Sequence, residues 1–386
     1  MIPYGRQDIS QADVNAVVEV LRSDFLTMGP AVPAFEKTVA SFCGAQHAVA
    51  ANSATSALHI ACLALGVGKG DVVWTTPITF VASANCALYC GATVDFVDID
   101  PRTYNMSVER LAEKLAHAEE TGNLPKAVIP VHLSGQPCDM AGIHVLSQQY
   151  GFKIIEDASH AIGGKYRGEF IGSCRYSDIT VFSFHPVKII TTGEGGMALT
   201  NDAQLAKRMR LLRSHGITSD LADMCPRTGE EIWNYQQIGL GFNYRMTDLQ
   251  AALGLSQMQR LNEFVAKRRL IAQRYGKLLA DMPVIAPWQH ADSHSSFHLY
   301  IVRLKLREIR KTHREVYQAL RAAGILVNLH YIPVYRQPYY EKMGFRKGCC
   351  PEAEQYYSEV ISIPIFPGLT EGEQDFVSAT LKNILQ

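Results

Sequence analysis

The sequence has no excess charge of either sign: thirty-seven Lys and Arg are matched by thirty-seven Asp and Glu over 386 residues. A neutral chain has no basic field to draw it onto DNA, RNA or an anionic membrane, so those partners are excluded as broad electrostatic targets and any phosphate must be held by local donors. Long apolar runs are missing too, and none reaches the length of a membrane span. The opening segment MIPYGRQDIS turns polar within a few residues and lacks the basic and apolar stretches of an export signal, which predicts a soluble, cytoplasmic protein. No C-x-x-C pair occurs among the nine cysteines, an odd number, so neither a disulfide framework nor a zinc site is expected, and no metal. Cys86 and Cys90 fall on one face of an expected helix and are read as packing residues. Internal repeats and low-complexity segments are absent. Fractions of 47% hydrophobic and 19% charged residues belong to a chain that folds throughout.

What is present is a change of pattern along a chain too long for a single core. Two domains are expected, 1–246 and 247–386. The first begins with an arm carrying helices near Gln11 to Leu21 and Ala34 to Phe42, which should pack across the large domain. The strand candidates AVAAN, DVVWTT, TVDFVDI, KAVIPVH, KIIED, DITVFSF and GGMALT then alternate with helical stretches at Thr55 to Leu65, Phe80 to Cys90, Ser107 to His117 and Met140 to Tyr150. That alternation predicts an α/β domain whose seven-stranded, mainly parallel sheet is covered on both faces. Beyond it, Thr247 to Gly276 reads as one long helix capped by Thr247. A strand near Leu299 to Leu304, a helix near Lys311 to Ala323, a strand at Val360 to Ile363 and a last helix from Glu371 make a smaller α+β domain.

The chemistry concentrates between KIIED and SFHPVKIITTGEGG. Asp157 ends an apolar strand, where α/β proteins present groups to ligands, and Lys188 follows the next strand in an almost uncharged stretch. A buried carboxylate under a pyridine ring keeps its nitrogen protonated, and a desolvated lysine offers a free amine, the pair that pyridoxal phosphate chemistry requires. A lysine chosen at random is a surface residue; the apolar, Gly-rich setting and the paired Asp157 argue against that here. In ANSATSALHIA, Asn52, Ser53, Ala54 and Thr55 close a strand and open a helix, so N–H groups and hydroxyls converge on one point suited to an anion, although an ordinary helix cap explains the Ser and Thr equally well. Ser183 adds a hydroxyl near the same strand end.

Taken together, LTMGPAVPAFE, NSATSALH, TTPITFVASAN, EDASHAIGG, SFHPVKIITTGEGGMALTND, RSHGI and GFNYRMTDLQAALGL resemble the DegT/DnrJ/EryC1/StrS family of sugar aminotransferases along essentially the whole chain. The resemblance implies the fold type I architecture of aspartate aminotransferase, pyridoxal 5'-phosphate as cofactor, and Lys188 as the residue that carries it as a Schiff base and moves the proton. Asp157 would partner the pyridine nitrogen, His160 would lie near the ring, and Phe80 would stack on it. Ala54, Thr55 and Ser183 would hold the phosphate, joined by Asn243 of the second subunit in a homodimer with shared sites. Many relatives carry Gly where this chain has Ala54, which crowds the backbone approach to phosphate.

Within the family, NSATSALH with LHYIPVYRQPYY is similar to the transaminases of pseudaminic acid biosynthesis. That likeness implies L-glutamate as donor and C4 of a UDP-linked 4-keto-6-deoxy-N-acetylhexosamine as acceptor. It also makes Tyr4, the run Asp24, Phe25, Leu26 and Thr27, and the run Asn328, Leu329, His330 and Tyr331 the substrate contacts. Without the resemblance, a tyrosine near a terminus and a His-Tyr pair on a strand are more often packing residues. Three alternatives stand beside this reading: another UDP- or dTDP-linked keto-sugar, a sugar 3-dehydrase, and a cofactor-binding regulator without turnover. Lys188 argues against the dehydrases, which carry His there. The roles of His185 and His215 are open.

Overall fold

The computed structural model describes residues 1–225 and 234–386. After β1 (Ile2–Pro3) come α1 (Gln11–Leu21), α2 (Ala31–Cys43), β2 (His47–Ala51), α3 (Ala54–Ala64), β3 (Val72–Thr75), α4 (Ala82–Tyr89), β4 (Thr93–Phe96) and α5 (Val108–Thr121). Then follow β5 (Ala127–Ile129), α6 (Met140–Tyr150), β6 (Lys153–Asp157), a hairpin of β7 (Lys165–Tyr166) and β8 (Glu169–Phe170), β9 (Ile179–Ser183), β10 (Gly196–Thr200) and α7 (Ala203–Arg213). All seven expected strands join one sheet in the order β2-β10-β9-β6-β5-β3-β4. Only β10 runs against the direction of the other six strands. Strands β2, β5, β9 and β10 are buried on both faces, which is why they read as near-continuous apolar runs.

The order fixes where chemistry can gather. Gly196 pairs with both Ala51 and Ser183, so the start of β10 and the ends of β2 and β9 lie on one edge of the sheet. Asp157 ends β6 beside β9 on the same edge. This carboxyl edge of a parallel sheet is where open α/β folds bind ligands.

A short pair, β11 (Ile217–Thr218) and β12 (Gln236–Gln237), precedes α8 (Asp248–Met258) and α9 (Leu261–Leu278). Here the structure differs from the single helix expected over Thr247 to Gly276. The N–H groups of Gln259 and Arg260 bond to carbonyls three residues back, which ends the α ladder, and the Arg260 guanidinium reaches Asp8 at 2.7 Å and Asp13 at 2.6 Å. Thr247 caps α8 in a reciprocal capping box with Gln250.

The C-terminal part holds β13 (Val284–Ile285), β14 (Ser293–His294), β15 (Tyr300–Leu304), α10 (His313–Ala322), β16 (Ile325–Leu326), α11 (Pro338–Lys342), α12 (Pro351–Glu359), β17 (Val360–Ile363) and α13 (Glu371–Leu385). Its sheet has the order β13-β15-β17, and its core of Tyr275, Val302, Leu320, Ile361 and Leu381 takes in Ile2. The expected arm is therefore split: α1 and α2 pack on α8, whereas β1 pairs with β16. No helix among the described residues is long and apolar enough to cross a membrane.

Candidate active site

A cavity of about 700 Å³ opens at the carboxyl edge of the sheet. Its walls include Ala54 and Thr55 from the start of α3, Phe80 before α4, Asp157 at the end of β6 with His160 beyond it, and Ser183 at the end of β9 with Lys188 beyond it. Tyr4 and the run Asn328 to Tyr331 enter from the C-terminal part. Twelve expected residues, far apart in sequence, therefore face one space.

Asp157 is 4% exposed; its Oδ2 accepts a 2.6 Å hydrogen bond from Ser83 and its Oδ1 accepts from the Ser159 N–H. Burial holds the Lys188 ammonium down at a pKa of about 8, against an opposing upward pull from Asp157. A share of this lysine is thus a neutral amine at physiological pH. Burial first, and then the charge of Lys188, push His160 and His330 below the ordinary histidine range, His330 to about 3. Both rings are neutral. The Ser134 N–H donates to His160 Nδ1, which leaves Nε2–H to donate to the Tyr331 hydroxyl at 3.3 Å. His330 is tied by Nδ1 to Ser362 Oγ at 2.8 Å, and its carbonyl accepts from Tyr356.

The start of α3 is built for an anion. Ser53 caps the helix by accepting from the Ser56 N–H, while the N–H groups of Ala54 and Thr55 in the first turn have no carbonyl four residues back to bond. A side chain on Gly196 would place its Cβ 2.4 Å from the Ala54 nitrogen and 2.5 Å from the Ser53 carbonyl, so only glycine lets the helix start lie this close to β10. Phosphate donors, a buried carboxylate and a desolvated amine around one cavity fit pyridoxal phosphate. Phe80, 60% exposed at the rim, offers a flat face to such a ring.

Two expected groups lie elsewhere in the chain. Asp24, Phe25, Leu26 and Thr27 form an exposed loop held by Asp248 at the start of α8, whose N–H bonds the Leu26 carbonyl and whose carboxylate takes the N–H groups of Gly29 and Ala31. Asn243 is exposed outside the cavity wall, and its carbonyl accepts from Asn52. His185 and Glu194 line the rim, and His215 is held by the Phe242 carbonyl. Sequence reasoning missed Ser83 and Gly196, although both stand inside quoted motifs, TTPITFVASAN and GEGGMALTND. All nine cysteines are free, and among the described residues no group of three or more His, Cys, Asp or Glu side chains is placed to hold a metal ion.

Residues 7–382 match the family model of the DegT/DnrJ/EryC1/StrS aminotransferases. The chain belongs to that family. It is 38% identical to the spore coat polysaccharide biosynthesis protein SpsC of Bacillus subtilis, over 100% of this chain and 97% of the relative. The UDP-4-amino-4,6-dideoxy-N-acetyl-beta-L-altrosamine transaminase of Campylobacter jejuni is 37% identical over 100% of this chain and 98% of its own. Among solved structures, Helicobacter pylori PseC, an aminotransferase involved in the biosynthesis of pseudoaminic acid, superposes with a TM-score of 0.90 at 29% identity, covering 100% of this chain and 99% of that one. As a member of the family, this chain is an aminotransferase with the expected α/β fold.

Proposed function

We propose that this aminotransferase uses pyridoxal phosphate to move an amino group from L-glutamate to C4 of a UDP-linked 4-keto-6-deoxy-N-acetylhexosamine. The product would be the UDP-linked 4-amino-4,6-dideoxy-N-acetyl-beta-L-altrosamine that names the Campylobacter relative. The observation that carries the reading is the meeting of Lys188, Asp157 and the open N–H groups of α3 in one cavity whose far wall is Asn328 to Tyr331.

When bound, the cofactor supplies an electron sink for negative charge developing on a carbon beside nitrogen. Asp157, fixed by Ser83 and Ser159, would hold the proton on the ring nitrogen that makes the sink effective. The N–H groups of Ala54 and Thr55 with the Ser183 hydroxyl would hold the phosphate, and Phe80 would offer its face to the ring. Lys188 would hold the cofactor through its amine and, once that amine is displaced by the donor's amino group, would act as base at the α-carbon of glutamate and, in the second half, as acid at C4 of the sugar. Because His160 donates to the Tyr331 oxygen, the phenol proton of Tyr331 is left for a substrate oxygen. Asn243 and the Asp24 to Thr27 loop would serve the site of a second subunit in a homodimer; exposed Phe25, Leu26 and Met28 give that loop an apolar face for such a contact.

The test is an assay of the purified protein with glutamate against UDP- and dTDP-linked 4-keto-6-deoxy sugars. Amination at C4 of the L-altro-type UDP sugar ahead of its D-gluco relative is expected. Preference for a dTDP sugar or a free keto acid would overturn the substrate.

A further inference from the structure

The wall from Asn328 to Tyr331 belongs to the C-terminal part, whereas Asp157 and Lys188 hang from the large sheet. The distance between them must be fixed by contacts that join the two. β17 holds the wall from behind: Asn328 and Ser362 exchange backbone hydrogen bonds of 3.2 and 2.8 Å, and Ser362 Oγ meets His330 Nδ1. That attachment lies wholly within the C-terminal part.

The helix just before β17 reaches the large sheet. In the first turn of α12 the N–H groups of Glu352 and Ala353 have no carbonyl four residues back, and the N-cap Cys350 makes no side-chain bond to them. Asp98, two residues past β4 in the large domain, accepts both, Glu352 at 2.9 Å and Ala353 at 3.0 Å, and its charge suits the positive end of the helix. At the other end Arg303 meets Glu359, the last residue of α12, at 2.7 Å and donates to the Pro101 carbonyl at 3.1 Å. The segment after β4 thus grips α12 at both ends. Between them Tyr356, fully buried, packs on Tyr104 of the same segment with ring centroids 4.7 Å apart and donates a 2.6 Å hydrogen bond to the His330 carbonyl. An unbroken path therefore runs from the large sheet through Asp98, α12 and Tyr356 to the wall.

We propose that Asp98 and Tyr356, neither of which lines the cavity, are positioning residues for the amino acceptor: by anchoring α12 they set the wall at its working distance from Lys188. They act on the acceptor and leave the reaction with glutamate alone. The inference rests on the proposed function in taking Asn328 to Tyr331 as the acceptor's wall, but it does not depend on which sugar is bound.

Two measurements on the cofactor-loaded enzyme test it: half-reaction and steady-state kinetics with whichever ketone is aminated, and amide hydrogen exchange across Asn328 to Tyr331. Tyr356→Phe deletes only the hydroxyl and should raise KM for the ketone by about tenfold, the scale of one lost buried hydrogen bond, with the glutamate half-reaction changed by less than about twofold. Asp98→Ala should do the same, and Asp98→Asn, which keeps one accepting oxygen, should fall between it and the parent. Because both residues act through α12, the double variant Asp98→Ala/Tyr356→Phe should be little worse than the stronger single one. Exchange across the wall should quicken by about tenfold in Tyr356→Phe and Asp98→Ala. Thr370→Ala removes the cap of α13 in the same part of the chain and controls for a general loss of stability; it should move neither readout. Parent-like KM and exchange in Tyr356→Phe, single effects that multiply in the double variant, or an equal shift in Thr370→Ala overturns the positioning role. Failure of the proposed function looks different: exchange follows the expected pattern, yet no nucleotide-linked ketone is aminated.

Discussion

Ser83, in the first turn of α4, donates a 2.6 Å hydrogen bond to the carboxylate of Asp157, 74 positions away at the end of β6. Its single proton is spent on that bond, so the Thr79 hydroxyl, 2.7 Å off, must donate to Ser83 in turn. A two-hydroxyl chain thereby fixes the orientation of the one carboxylate proposed to face the pyridine nitrogen. Asp157→Asn keeps the size and removes the charge; the half-reaction with glutamate, followed by cofactor absorbance, should slow by at least about a hundredfold. Ser83→Ala should slow it by about tenfold, the scale of one lost hydrogen bond to a charged group. An Asp157→Asn enzyme that turns over like its parent would show that something else holds the ring nitrogen.

The depressed pKa of Lys188 gives a pH dependence with a definite sign. Only the neutral amine reacts with an aldehyde, and burial sets its midpoint at about 8 instead of the ordinary 10.5. Uptake of pyridoxal phosphate by the apoprotein should therefore rise through about pH 8 and level off above it. Asp157 pulls the value upward, so in Asp157→Asn the midpoint should move to lower pH. A stopped-flow series in which uptake still climbs toward pH 10 would mean that Lys188 is solvated or that another lysine reacts.

Gly196 tests the phosphate cradle without removing a polar group. In Gly196→Ala the new methyl meets the Ala54 nitrogen and the Ser53 carbonyl, both backbone atoms of the capped helix start, and neither can turn aside as a side chain would. Forcing a methyl into packed surroundings costs about 1–3 kcal/mol, which corresponds to roughly tenfold to a hundredfold weaker cofactor retention if the start of α3 is what moves. Equilibrium dialysis measures it. Parent-like retention would detach the α3 N-terminus from phosphate binding.

Much of this arrangement was legible in the sequence because its signals are local. The seven strands are short apolar runs bounded by turn residues, and Ser53 and Thr247 announce the starts of α3 and α8 by the chemistry of capping. What stayed hidden is made by distant partners. The break between α8 and α9 has neither Gly nor Pro to mark it; Arg260 turns there toward Asp8 and Asp13, some 250 positions earlier. Ser83 looks like any small residue of a helix until the fold sets it beside Asp157, and GEGG does not say which glycine the helix start will crowd. The Asp24 to Thr27 loop, expected at the substrate, is tied to α8 outside the wall of its own chain's cavity.

Asn243 poses the same question in a form that can be decided by mixing subunits. It is exposed, it lines no part of its own chain's cavity, and yet its carbonyl takes a 3.4 Å bond from Asn52, the residue just before the α3 cap. Its side chain is thus free to serve either its own site or one on a second subunit. If sites are shared in a homodimer, Lys188→Ala and Asn243→Ala subunits, each inactive alone, should regain activity after exchange, since one of the two sites in every mixed dimer receives both intact residues. Random mixing puts half the dimers in the mixed class, so recovery should approach roughly a quarter of parental sites. The readout is steady-state transamination against the time course of exchange, followed with differently tagged subunits. No activity once exchange is complete would assign Asn243 to the same site as its own Lys188, and the exposed loop at Phe25 and Leu26 would then need another partner.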